Sequence, residues 1–338
     1  MSSLHLAFPF IFLLLLPRFT NSQLVLTVAA DGSGNFTTIR EAIDFVPSRR
    51  SSGISPLNLY TKIMVSAGVF AENLVVRAEK VNVSLIGAGR SQTIITGNRS
   101  SDDGWSTSTS ATLAIEGRGF AASDLTIQNT AGPSNGQAVA LRVDADQSAF
   151  HRCIIDGNQD TLYARSGRQF YRDCEIRGTV DFIFGDGAAV FQNCRISPRG
   201  KRGGTITAQA RSKQNGLSAF AFDRCVIKPL SGDVPSASFY LGRPWRPYAR
   251  VVFMKSYMAD VINPEGWVPW NGPGKPAPET VFYGEFENGG QGAAAAGRVK
   301  WKGVRQLNKT EALWFSVGGL LGGDSWIPTT GIPYDSQI

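Results

Sequence analysis

Two aspartates, two glutamines and an arginine are the residues of this chain best placed to do chemistry. Asp181 lies in the run Gly178-Thr179-Val180-Asp181-Phe182-Ile183-Phe184-Gly185. A carboxylate amid such apolar, strand-like surroundings is costly unless it is paired or used. Gln159 and Asp160 follow Asn158, Gln137 opens the segment 137–142, and Arg243 stands two residues before Trp245. Gln137 and Gln159 are 22 residues apart, and Asp160 and Asp181 are 21 apart. If the backbone repeats at that period, these groups stack in neighbouring layers on one face. Histidine contributes little: the chain has 2, His5 in its apolar leader and His151, which has no nucleophile-elbow motif to serve. Acid–base work therefore falls on the carboxylates.

The elements that must position these residues show the same period. Phe150-His151-Arg152-Cys153-Ile154 is followed by related segments around Cys174, Cys194 and Cys225, each an aromatic, a polar insert, a cysteine and a β-branched residue. Residues 119–129 form an earlier copy without cysteine. A repeat of about 20 residues built from short β-rich runs is a solenoid signature. The leucine–asparagine pattern of leucine-rich repeats is missing. The reading is an all-β fold, a right-handed single-stranded parallel β-helix, with ladders of like residues inside and short capping helices at residues 39–45 and 309–315. Strands are expected at 61–66, 81–86 and 251–254, and surface loops at 100–110 and 289–297. Phe182 and Phe184 are expected to share a strand face that excludes Asp181 and Ile183.

Residues 6–16 are apolar except for Pro9, the length of a signal-peptide core and too short to span a bilayer. Residues 1–22 are read as a signal peptide cleaved near Ser22, and 23–338 as one catalytic domain, secreted and free of membrane. N-x-S/T sequons at Asn35, Asn82, Asn98 and Asn308 suit that route. Four cysteines permit two disulfides, but side chains stacked in register point the same way, so buried thiols are favoured. No metal or cofactor is expected. The net charge of +7 points to a polyanionic partner. An acidic polysaccharide suits a secreted chain better than nucleic acid, for which there is no motif, and Arg243 with Trp245 suits a sugar ring bearing a carboxylate.

Segments 137–142, 159–162, 178–185 and 241–245, with weaker matches at 68–72, 297–301 and 325–328, resemble the plant pectin methylesterase family, which hydrolyses methyl esters of cell-wall polygalacturonate. The resemblance runs from about Leu26 to the C-terminus and implies the same parallel β-helix. It implies that Asp181 is the nucleophile and that Asp160 is the acid/base that protonates methanol and then activates water. Gln137 and Gln159 would donate to the oxyanion, Arg243 would hold Asp181, and Trp245 would touch substrate. It also implies methylesterified pectin as substrate and a proteinaceous inhibitor as a possible partner; the chain is expected to act as a monomer. Two positions depart from the family, Asn158 and Phe70, each where tyrosine is usual, which leaves room for altered substrate preference or weak activity. The inhibitor-like pro-region of many plant members is expected to be missing.

Physics supports this division of labour. Two close carboxylates do not both ionise readily, so the one beside a cation keeps its charge and the other its proton. Amides donate to an oxyanion without adding a titrating group. Structural alternatives stand beside each role: a buried ion pair for Asp181 and Arg243, a turn cap for Asp160, a glutamine stack for Gln137 and Gln159, and plain packing for Trp245. A lyase or glycosidase on the same solenoid, or a wall-binding protein without activity, are the competing classes.

Overall fold

The computed structural model describes residues 22–48 and 59–338. The signal-peptide reading, with His5, falls almost wholly outside them. The chain winds into a right-handed parallel β-helix whose strands form three sheets of 11, 7 and 8 strands, all paired in parallel. The expected strands are present as Leu59–Val65, Val83–Gly87 and Arg250–Met254.

Like residues stack inside. Phe150, Tyr171, Phe191, Phe222 and Phe253 form a continuous column, with successive ring centroids 5.0, 4.6, 4.6 and 4.4 Å apart. Beside it runs the cysteine column. Cys153, Cys174, Cys194 and Cys225 are all free and buried, and burial pushes the Cys153, Cys174 and Cys194 thiols well up. Cys174, Cys194 and Cys225 each donate Sγ–H to the carbonyl of the aromatic one coil earlier, at 3.4, 3.4 and 3.3 Å. Each cysteine follows a residue in the left-handed region: Arg152, Asp173, Asn193 and Arg224 have φ of 52, 53, 55 and 54°. Such conformations are held by the surrounding stack, here at the corner where one sheet hands over to the next.

The ends are capped. Helix Ile39–Phe45 begins with a capping box between Thr38 and Glu41, and buries Ile39, Ala42 and Ile43 against the first coil. At the other end the helix expected over 309–315 stops at Leu313. Ser316 accepts from the Gly319 N–H and starts a further helix, Val317–Leu321, which lies on the eleven-stranded sheet. Its Val-Gly-Gly-Leu-Leu sequence has poor helix propensity; the apolar face it buries decides. Residues 289–297 lie mostly at the surface, as expected, but carry two short 3-10 turns, Gln291–Ala293 and Ala295–Gly297, with Gly292 buried. Among the described residues, no helix is long and apolar enough to cross a membrane.

Candidate active site

The site is built on the seven-stranded sheet, where strands Leu141–Asp144, Leu162–Ser166, Ile183–Gly185, Gly204–Gln209 and Phe239–Pro244 lie side by side. Leu162 pairs with Ile183, so Asp160 and Asp181 occupy equivalent positions one coil apart, two residues before each strand. The Asp160 N–H donates to the Val180 carbonyl at 3.1 Å, and the Ala138 N–H to the Gln159 carbonyl at 3.2 Å. The 21- and 22-residue offsets thus place Gln137, Gln159, Asp160 and Asp181 in successive layers.

Asp181 does not sit mid-strand as its apolar neighbours suggest. It is left-handed, with φ of 51°, as is Asp160 at 63°. The corner at Asp181 breaks the alternation expected for its neighbours. Phe182 and Ile183 both enter the main core, and Phe184 faces outward with Ala208, Tyr163 and Trp245. Gly178 permits this corner, because a Cβ there would lie 2.1 Å from the Cβ of Phe182.

Arg243 grips Asp181 with two donors: Nε to Oδ1 at 2.9 Å and Nη2 to Oδ2 at 2.6 Å, the strong bidentate geometry of a charge-assisted pair. Gly242 lets its strand close on the neighbouring one, since a Cβ there would meet Thr207 Oγ1 at 2.0 Å. Asp160 is in a different environment. It is 8% exposed, and burial pushes its carboxyl well above the usual range. The charge of Asp181 adds to the rise, and Arg243 opposes it.

Gln137, Gln159, Asp160, Asp181, Arg243 and Trp245 all line one cavity of about 430 Å³. Sequence reasoning missed the rest of its wall. Tyr163 stacks on Phe184 at 4.3 Å, Phe184 meets Trp245 at 5.9 Å, and Trp245 meets Trp270 at 6.4 Å. The Arg243 guanidinium lies 4.3 Å over the Trp270 ring. Trp270 comes from a loop outside the repeat, so no period marks it. Tyr163 and Phe184 are in register, and that pairing could have been read from the 21-residue step. Residues 100–110 form the expected loop, but Ser100 and Ser110 are buried, and Ser106, Thr107 and Ser108 overhang the cavity. Thr205 was also missed; its hydroxyl donates to Asp181 Oδ1 at 2.5 Å. The two departures from the family pattern stand apart from the cavity. Phe70 is a core residue, and Asn158 is not among the lining side chains.

The family model described as Pectinesterase matches residues 25–324. The chain belongs to the pectinesterase family. A pectinesterase/pectinesterase inhibitor of Arabidopsis thaliana is 47% identical over 314 residues, covering 92% of this chain and 55% of its own length. The pectinesterase/pectinesterase inhibitor PPE8B of Prunus persica is 46% identical over 92% of this chain and 59% of its own. The chain thus spans little more than half the length of these curated relatives. Among solved pectinesterases, the pectin methylesterase from carrot superposes with a TM-score of 0.87 at 43% identity, covering 93% of this chain and 98% of that one. A pectin methylesterase mutant in complex with a hexasaccharide gives 0.74 at 29% identity, with coverages of 88% and 96%.

Proposed function

We propose that this pectinesterase hydrolyses the methyl esters of homogalacturonan to pectate and methanol by a covalent, two-step acyl transfer. The contrast between its two aspartates carries the reading: one carboxylate is clamped by a guanidinium, and the other is buried, which pushes its carboxyl well above the usual range. Asp181 attacks the ester carbonyl, and the oxyanion takes hydrogen bonds from the Gln137 and Gln159 amides. The tetrahedral species collapses to an acyl-Asp181 anhydride. The departing methoxide takes the proton of Asp160 and leaves as methanol. Asp160, now a carboxylate, takes a proton from water as its oxygen attacks the anhydride. Asp181 is released as carboxylate, and the new pectate carboxyl carries away the remaining proton. Trp245, with Tyr163, Phe184 and Trp270, forms a surface suited to a pyranose ring.

The apolar leader and the four sequons support secretion to the cell wall. Asn35, Asn98 and Asn308 are exposed, which suits glycan attachment. Asn308 also caps helix Lys309–Leu313 through its Oδ1. Asn82 is a half-buried left-handed corner residue, the least favourable of the four. A proteinaceous inhibitor is a partner suggested by the family alone.

Product analysis tests the reading. Methylated pectin should yield methanol without unsaturated ends or new reducing ends, which would mark a lyase or a glycosidase. Asp181→Asn should lower methanol release by at least ~10³-fold. Retention of more than a tenth of the activity would remove Asp181 from the nucleophile's role.

A further inference from the structure

A carboxylate offers about four lone-pair positions, two on each oxygen. On Asp181, Oδ1 accepts from Arg243 Nε at 2.9 Å and from Thr205 Oγ1 at 2.5 Å, whereas Oδ2 accepts from Arg243 Nη2 at 2.6 Å. The Thr205 hydroxyl in turn accepts from the backbone N–H of Asp181 at 3.1 Å. With that N–H bound to the hydroxyl oxygen, its single proton is left for the carboxylate. The hydroxyl therefore closes a ring between the backbone and the side chain of one residue, at a left-handed corner. Thr205 and Asp181 are each 5% exposed, so bulk water competes little for these positions.

We propose that Thr205 is a positioning residue for the esterase reaction: it occupies the second acceptor site of Oδ1, pins the carboxylate's rotation, and leaves Oδ2 as the attacking oxygen. The inference rests on the esterase reading above. Arg243 alone supplies one planar fork, and a fork can rock with its carboxylate as a unit. Thr205 reaches Asp181 from the next strand, Gly204–Gln209, and supplies a donor outside that fork. A cavity of about 250 Å³ lies beyond Arg243, lined by Thr205, Val180 and Tyr240 among others. Water entering there can stand in for a missing hydroxyl, but not where a methyl group fills its place.

Kinetics of three variants on methylated pectin test the proposal, with Asp181→Asn as control. Thr205→Ser keeps the hydroxyl and should stay within about 3-fold of the parent. Thr205→Val should lose about 10–100-fold in kcat, the worth of one hydrogen bond to a charged group, with KM little changed. Thr205→Ala should fall between them. A merely structural hydroxyl would lower the Tm of the valine variant and leave the kcat of folded molecules intact, and that result overturns the proposal. If the valine variant does not fold, the alanine variant decides: parental kcat overturns the proposal, and reduced kcat with the serine variant intact supports it. An inactive Asp181→Asn beside a fully active Thr205→Val overturns this inference alone. An active Asp181→Asn overturns the nucleophile assignment and this inference with it.

Discussion

Asp160 and Asp181 have the same chemistry, the same corner conformation and equivalent places in adjacent coils, so only their neighbours separate them. Asp181 has Arg243 and Thr205; Asp160 has burial and the charge of Asp181. A buried ion pair is weak evidence of stability, because desolvation of both charges offsets their attraction. The Arg243–Asp181 pair is better understood as a device that fixes one carboxylate in place inside a cleft. Asp160 carries a cost that can be measured. Its folded carboxyl binds a proton more tightly than the unfolded chain does, whose aspartates titrate near ~3.9. Between that value and its raised folded value, the native state holds more protons, so stability falls as pH rises. Asp160→Asn removes the titration and keeps the shape. It should lower methanol release by about 10²–10⁴-fold and raise Tm at neutral pH, with the gain shrinking towards pH ~4. A Tm difference that stays constant across this range would mean that Asp160 is not held protonated by its surroundings.

At the scale of elements, the coil is the unit, and its columns carry the packing. Phe191 lies between Tyr171 and Phe222, 4.6 Å from each ring, and is fully buried. Phe191→Ala should cost about 3–5 kcal/mol, the usual range for removing a buried aromatic. Urea unfolding should show that loss, while methanol release per folded molecule stays near the parent's, since Phe191 belongs to the eleven-stranded sheet and the cleft to another. A large loss of specific activity without loss of stability would contradict this separation. The same columns explain what could be read in advance. Phe150, Cys153 and their successors recur because each coil solves the same packing problem, and the step between them transfers directly to Gln159, Asp160 and Asp181. Thr205 escaped that reasoning because residues 199–203 lengthen the coil between it and Asp181. Trp270 and Ser106–Ser108 escaped it because they belong to loops, whose positions no period sets. Phe182 was misplaced for a local reason: a left-handed corner resets strand alternation, and nothing in an Asp-Phe pair announces one.

At the scale of the whole molecule, the net charge of +7 must act somewhere, and much of the arginine is already matched. Arg177 and Arg199 pair with Asp156, Arg298 with Glu285, and Arg243 with Asp181. Exposed cations border the cleft: Arg246 sits over the Trp245 ring at 5.8 Å, and Arg202 lines the cavity beyond Arg243. These are placed to meet a polyanion along the flanks, while under the proposed reaction the cleft itself receives a neutral ester. The proposed reaction turns neutral esters into carboxylates, so its product should be held by the flanks more strongly than its substrate. Salt screens such contacts, with a Debye length falling from ~10 Å at 0.1 M to ~3 Å at 1 M. Retention on immobilised demethylated pectin should therefore weaken steeply between those ionic strengths, and retention on fully methylated pectin should weaken less. Arg202→Gln and Arg246→Gln together should flatten the first dependence and leave the second nearly unchanged. Equal salt dependence on the two polymers would place the effective positive charge away from the cleft, on faces that serve anchoring to the wall rather than handling of the chain being de-esterified.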